Sequence, residues 1–153
     1  ADDRWLTMSS RLQDAPFDAG TELTAFTAGG PDIGAVVTFS GIVRDDTGTL
    51  KYLEIEHYPA MTLSAIQAIE TQAVARWHLG ASLIIHRYGR LKPGETIMMV
   101  ATSAAHRADA FAAAEFLMDY LKSRAPFWKK EVTAGGETWV AARTEDEDAL
   151  KRW

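Results

Sequence analysis

The sequence predicts an α+β fold with a mainly antiparallel sheet, and three observations lead there. Runs rich in β-branched residues, 33–43, 81–88 and 95–102, interleave with segments whose apolar residues recur at helical spacing. Short glycine-bearing turns, Asp45-Asp46-Thr47-Gly48 and Ala134-Gly135-Gly136, join strands as hairpins. No internal repeat, low-complexity tract or interdomain linker interrupts the 153 residues, so 1–153 is expected to form one domain.

Residues 4–9 read as a short strand. Asp18, after Pro16 and Phe17, is placed to cap a helix over 19–28 that Gly29 and Gly30 close. The run I-G-A-V-V-T-F-S-G-I-V (33–43) reads as a largely buried strand. Gly34 and Gly41 mark a bulge or close backbone approach, and Arg44 stands at the strand's end. Residues 50–58 alternate, with Leu53, Ile55 and His57 on one face and Tyr52, Glu54 and Glu56 on the other. That pattern describes a half-buried strand paired with the preceding one. Beyond Pro59, Thr62 can cap a helix carrying Ile66, Ile69, Ala73 and Trp77, with Gly80 as its stop.

A strand over 81–88 leads through the turn Gly89-Arg90-Leu91-Lys92-Pro93-Gly94 into a strand over 95–102. The next helix places Phe111, Ala114, Met118 and Leu121 on one apolar stripe, broadened by Phe116 and Tyr120, and Pro126 ends it. Strands over 130–133 and 137–142 form the last hairpin. Thr144 with Glu147 makes a capping box for a short terminal helix.

Composition removes several classes of function. A net charge of -5 argues against a general nucleic-acid binder. The absence of cysteine excludes a disulfide framework, a thiolate nucleophile and a cysteine metal site. His57, His78, His86 and His106 show no metal-ligand spacing, so neither a metal nor a cofactor is expected. The opening Ala-Asp-Asp-Arg-Trp lacks a signal peptide's pattern and no stretch approaches the ~20 apolar residues that cross a bilayer, so a soluble, cytoplasmic protein is expected. Phosphate-loop and nucleophile-elbow motifs are absent.

Against this acidic background, residues 103–131 stand out. His106 and Arg107 open a helix, where backbone N–H groups and the helix dipole favour an anion; Lys122, Arg124, Lys129 and Lys130 crowd around Pro126-Phe127-Trp128 at its far end. Arg107 and Lys122 are 15 positions apart, which a straight helix turns into about 22 Å. One small ligand cannot touch both within one chain. Either they are unrelated surface charges, or two copies contribute to a composite site at a homodimer interface. Crowded lysines favour a neutral amine able to act as base or nucleophile, while the helix C-terminus favours the ammonium on Lys122. The alternative is that these cations complete a helix end and cover aromatic surface. Arg44 and Arg107 can each grip a phosphate as a planar fork or serve as salt-bridge partners. His57 and His86 read as satisfied strand histidines, and Glu54 and Glu56 as a solvated face.

Five ordered blocks resemble the large, catalytic subunit of molybdopterin synthase. They are T-F-S-G-I-V-R (38–44), L-E-I-E-H-Y-P-A-M (53–61), I-H-R-Y-G-R-L-K-P-G-E (85–95), S-A-A-H-R (103–107) and M-D-Y-L-K-S-R-A-P-F-W-K-K-E (118–131). With G-G-E-T-W-V-A-A-R they span most of 34–143. The resemblance implies an α/β hammerhead with an additional antiparallel sheet. It implies an enzyme that installs two dithiolene sulfurs on cyclic pyranopterin monophosphate. Each sulfur comes from the thiocarboxylated C-terminal Gly-Gly of a small ubiquitin-like partner, within a heterotetramer built on a homodimer of large subunits.

The same resemblance implies roles for particular residues. Lys122 and Lys129 match the family's two essential lysines, for acid/base or transient acyl chemistry and for support of oxyanions. Arg44, His106 and Arg107 match the residues that hold the pterin and its phosphate, with His106 and Arg107 coming from the neighbouring subunit; Phe39 and Arg143 match residues of the same pocket. The partner's tail is expected to reach a buried Lys122 through a narrow channel, with Phe127 and Trp128 as candidates for its wall or for packing beneath it. Two rivals remain: a basic and aromatic module that docks an acidic tail or short nucleic acid, and a pterin- or nucleotide-phosphate hydrolase.

Overall fold

A computed structural model describes residues 7–27, 29–141 and 143–153. Its first sheet runs β1 (Thr7–Gln13), β4 (Ala81–Arg87), β6 (Thr96–Ala104), β2 (Ala35–Ile42), with β1 and β4 parallel and the other neighbours antiparallel. Alternation along β4 and β6 lets this sheet bury both faces. Leu83, Ile85, Met99 and Ala101 meet Phe17, Leu23 and Phe26 around α1 (Ala19–Thr27). Ile84, Val100 and Ala104 face α2 (Pro59–Trp77) and α3 (Arg107–Ser123).

The second sheet runs β5 (Gly89–Leu91), β3 (Leu50–His57), β7 (Phe127–Thr133), β8 (Gly136–Trp139), and is antiparallel throughout. Its Leu53, Ile55 and Leu91 enter the same core as Ile66, Ile69 and Ala73 of α2 and Phe116, Leu117 and Leu121 of α3. The chain closes with α4 (Thr144–Ala149) and a 3-10 turn, Leu150–Arg152. The α+β expectation with a mainly antiparallel arrangement holds.

Several local expectations change. β3 pairs with β5 and β7, not with β2. After β2 the Val43 N–H goes to Glu95 O at 2.9 Å, prolonging the link to the first sheet. Asp45 Oδ1 then accepts from the Gly48 and Leu50 amides, at 3.0 and 3.3 Å, as the chain passes to the second sheet. The first strand lies at Thr7–Gln13, since it follows β4 residue by residue; its polar side chains suit an edge and hid its length, and the earlier part of the 4–9 expectation lies outside the described residues. Asp18 caps α1 as expected, accepting from the Gly20 amide at 3.1 Å, and Ala28 lies outside the described residues.

Thr62 lies inside α2, which starts earlier because Pro59 suits the first helical turn, and its hydroxyl donates to Tyr58 O at 2.7 Å. His78, at φ 50°, ends α2 in place of Gly80. Residues 89–91 form β5, leaving the turn to the residues that follow. On α3 the buried face is Ala110, Ala113, Ala114, Phe116, Leu117 and Leu121, while Phe111 is 61% exposed. Small alanines let the helix approach the sheet closely, and Thr102 Oγ1 donates to Ala110 O at 2.7 Å across that contact. The capping box does not form: Glu147 is held by Arg124 at 2.7 Å, and the helix has no side-chain cap. Gly34 does mark a close approach, since a Cβ there would strike the Ala105 carbonyl oxygen, and Gly41 borders a register shift.

The terminal residues fold back on the helices. Trp153 lies edge-on to Trp77 and Phe116, with centroids 5.4 and 5.7 Å away, and its Nε1 donates to Asp119 at 2.6 Å. Arg152 pairs with Glu115 at 2.6 Å and with Asp119 at 2.7 Å.

Candidate active site

A hollow of about 400 Å³ opens where the two sheets meet the end of α3. The end of β2 and the residues after it supply Phe39 and Arg44; α3 supplies Met118, Leu121 and Lys122; β4 supplies His86; β7 supplies Lys129; and Arg143, just before α4, completes the rim. A second hollow of about 300 Å³ shares His86, Leu121, Lys122, Lys129 and Arg143, and extends along Phe127, Trp128 and Asp146. Both lysines therefore line two hollows.

Ion pairing sorts the four clustered cations. Arg124 is paired with Glu147, and Lys130 lies 3.3 Å from both Glu54 and Glu137 with its ammonium 5.1 Å from the Trp139 ring centre. Among the described residues neither Lys122 nor Lys129 has a carboxylate within salt-bridge distance. Strand alternation is the cause for the Lys129-Lys130 pair: neighbours on β7 point to opposite faces. Lys129 is half-buried, and its pKa falls from 10.5 to about 8, chiefly through burial and further through the charge of Lys122; Asp146 opposes the shift. Lys122, expected to be buried, is exposed at the mouth, because the last turn of α3 carries it past the core.

Arg44 and Arg143 are exposed on the rim, with Nε 3.1 Å from Asp46 and 3.2 Å from Glu145 respectively. These surface pairs are weak enough for an anionic ligand to displace. Phe39 is 43% exposed and offers an apolar wall beside them. Five of the seven candidate residues thus converge. His106 and Arg107 do not: they lie exposed at the start of α3 and line neither hollow. The helix between them and Lys122 is unbroken, so the separation of about 22 Å stands.

His86 was read as a satisfied strand histidine and is more than that. It is 4% exposed, its Nδ1 lies 2.7 Å from Arg87 O, its ring stacks on Phe127 at 3.8 Å, and it lines both hollows. Burial first, then the charges of Lys129, His57 and Lys122, lower its pKa to about 3 against the opposing hydrogen bond, so the ring stays neutral. Its place in the block I-H-R-Y-G was the available signal. Met118 and Asp146 were also missed, and only the fold brings them to the site.

The arrangement offers an amine that can gain or lose a proton near neutral pH, several cations for anionic oxygens, and an apolar wall. Among the described residues no three His, Asp or Glu side chains converge on a point that could hold a metal. The model of the MoaE protein family matches residues 12–124. The chain belongs to that family. It is 65% identical, over 93% of its length and 97% of the relative's, to a molybdopterin synthase catalytic subunit from Cereibacter sphaeroides. The MoaE fold recurs in a molybdopterin cofactor biosynthesis protein E from Burkholderia multivorans, with 50% identity, TM-score 0.81, and coverage of 96% of this chain and 97% of that one. A molybdopterin synthase structure from Staphylococcus aureus shares it at 31% identity and TM-score 0.77, covering 85% and 95% of the two chains.

Proposed function

We infer that this chain is a molybdopterin synthase catalytic subunit, a sulfurtransferase that moves sulfur from a partner's C-terminal thiocarboxylate to a pterin monophosphate. The observation that carries this reading is the pair of lysines shared by two hollows, one suited to an anionic, ring-shaped substrate and the other to an incoming tail. Arg44 and Arg143 take the phosphate, with Phe39 beside the ring system. Phe127 and Trp128 wall the path of the glycine tail.

In the proposed sequence the thiocarboxylate sulfur forms a bond to a carbon of the pterin side chain as that carbon's bond to oxygen breaks, the oxygen staying on the opened cyclic phosphate or leaving as water, and the partner's glycine remains joined as an acyl thioester. Water, or transiently the Lys122 amine, then attacks the acyl carbon. The acyl carbon–sulfur bond breaks, sulfur stays on the pterin, and the partner leaves as a carboxylate. Lys129 in its neutral form accepts the proton of the attacking water, and the Lys122 ammonium steadies the oxyanion. A second charged partner supplies the second sulfur.

His106 and Arg107 serve the neighbouring copy's site in a homodimer, with one small ubiquitin-like subunit per large subunit. Among the described residues no helix is long and apolar enough to cross a membrane, and we place the reaction in the cytoplasm. Incubation with the thiocarboxylated partner and cyclic pyranopterin monophosphate tests the whole reading. Formation of a dithiolene supports it. Binding without product favours a docking module, and free phosphate without sulfur transfer favours a hydrolase.

A further inference from the structure

We propose that Trp153 and Asp119 are positioning residues for Arg143, holding residues 143–153 against α3 as a strap that sets this arginine on the rim of both hollows. The strap cannot hold itself. α4 has six residues, too few to stay helical alone, and neither it nor the 3-10 turn after it contains a buried residue. Its place is therefore fixed by what it touches on the rest of the protein.

Two anchors do this, and they are unequal. Glu147 meets Arg124 at 2.7 Å, but both side chains are half exposed, and such pairs contribute little. The second anchor is drier. Asp119 of α3, its side chain 13% exposed, accepts from Trp153 Nε1 at 2.6 Å and from Arg152 Nη2 at 2.7 Å, while Arg152 Nη1 reaches Glu115 at 2.6 Å. The indole stands edge-on to Trp77 of α2 and Phe116 of α3, and Arg76 donates to the Trp153 carbonyl oxygen at 3.4 Å. A packed aromatic ring with its N–H satisfied outweighs an exposed ion pair, so Trp153 is the main hold.

Arg143 moves with this segment. Its carbonyl oxygen accepts from the Asp146 and Glu147 amides at 3.1 and 3.4 Å as the cap of α4, and its guanidinium pairs with Glu145 of the same segment. Upstream, the Val140 N–H donates to Lys129 O at 2.7 Å. Arg143 thus lies between a tie to β7 and the anchor on α3, and it lines both hollows with Lys122 and Lys129. Asp119 is three positions before Lys122, so the turn of α3 that holds the strap also presents this lysine.

The role of Arg143 in holding the pterin phosphate rests on the sulfur-transfer reading; the hold exerted by Trp153 does not. In the full-length protein, residues 143–152 should exchange amide hydrogens at least about tenfold faster in Trp153→Ala than in wild type, while α3 keeps its protection. Calorimetry with cyclic pyranopterin monophosphate should show Trp153→Ala weakening binding about tenfold, with no further loss when it is added to Arg143→Ala, because the anchor acts through that arginine. Trp153→Phe, which keeps the packing and loses the Nε1 donor, should recover part of the affinity. In turnover Trp153→Ala should raise KM about tenfold and keep kcat within about threefold. Unchanged exchange over 143–152, or losses that add in the double variant, overturn the inference. So does wild-type affinity in a Trp153→Ala protein whose strap is released. Where Trp153→Ala does not fold, Asp119→Ala, which removes the acceptor of both donors, faces the same criteria. A wild-type protein that binds no pterin overturns the sulfur-transfer reading and the role of Arg143 with it, while exchange still decides whether Trp153 holds the strap.

Discussion

Glu54 and Lys130 face each other in register across β3 and β7, and their charged ends lie 3.3 Å apart. That pair commits Lys130 to the sheet and turns Lys129 to the opposite face. Exchanging Lys130 for methionine should keep turnover within about threefold of wild type, while lowering the melting temperature through loss of contacts with Glu54, Glu137 and Trp139. Steady-state kinetics beside a thermal melt checks this, and a collapse of kcat with unchanged stability would move Lys130 into the chemistry.

Lys129 carries the pH dependence. Its pKa of about 8 means that the neutral amine grows as pH rises toward 8. If that amine is the base, kcat/KM should climb about tenfold per pH unit below 8 and level off above it. Lys129→Arg, always charged, should lose at least about 100-fold in kcat. The stability sign is the reverse of an ordinary lysine's. The unfolded chain keeps this lysine charged up to about 10.5, so the folded state bears a penalty below 8 that disappears as pH rises between those values. Lys129→Met should therefore be inactive and more stable at pH 7, by about 1–3 kcal/mol, in denaturant titrations.

Arg44 should act on binding more than on chemistry. Among the described residues its exposed guanidinium is held only by Asp46, and a phosphate would replace that partner with two charge-assisted hydrogen bonds. Arg44→Ala and Arg107→Ala should each weaken pterin binding by about 1.5–3 kcal/mol, read by calorimetry with the substrate alone. Unchanged affinity in both would remove the phosphate role.

The length of α3 makes a separate test of subunit sharing. If Arg107 serves the neighbouring copy's Lys122, then with pterin well below saturation Lys122→Ala and Arg107→Ala homodimers are each nearly inactive. Random remixing gives half the dimers as hybrids, each with one site intact, so about a quarter of wild-type activity should return. Hybrids in which both residues act within one chain would recover nothing.

Periodic signals were legible and long-range choices were not. The alternation in β3 and the spacing in α2 were readable because one face of each is buried. Which strand β3 would join was not, since an alternating pattern names the buried face and not the partner. Phe111 was misplaced because alanines contribute little to an apolar stripe, yet Ala110 and Ala113 are the residues that fit against the sheet. At the site, Lys122, Lys129 and Arg44 stood out as charges in an acidic chain. His86 did not, because its meaning depends on Phe127, 41 positions away.

Glu70 provides a test of the fold independent of the active site. This carboxyl on α2 is 1% exposed and is hydrogen-bonded by the Ser82 hydroxyl of β4 at 2.5 Å, which ties helix to sheet. Burial raises its pKa from 4.5 to about 7, outweighing the hydrogen bonds from Ser82 and the Ser9 backbone. Below 4.5 both folded and unfolded states hold the proton, and stability is greatest. Between 4.5 and 7 the unfolded chain releases it while the folded chain keeps it, so Glu70 costs progressively more, up to about 3 kcal/mol. Glu70→Gln retains a polar partner for Ser82 but cannot ionise. The difference in unfolding free energy between wild type and Glu70→Gln, followed by denaturant titration from pH 4.5 to 7.5, should therefore move in favour of the glutamine protein as pH rises. A pH-independent difference would mean that Glu70 is ionised in the folded chain and stabilised there by contacts stronger than its burial penalty.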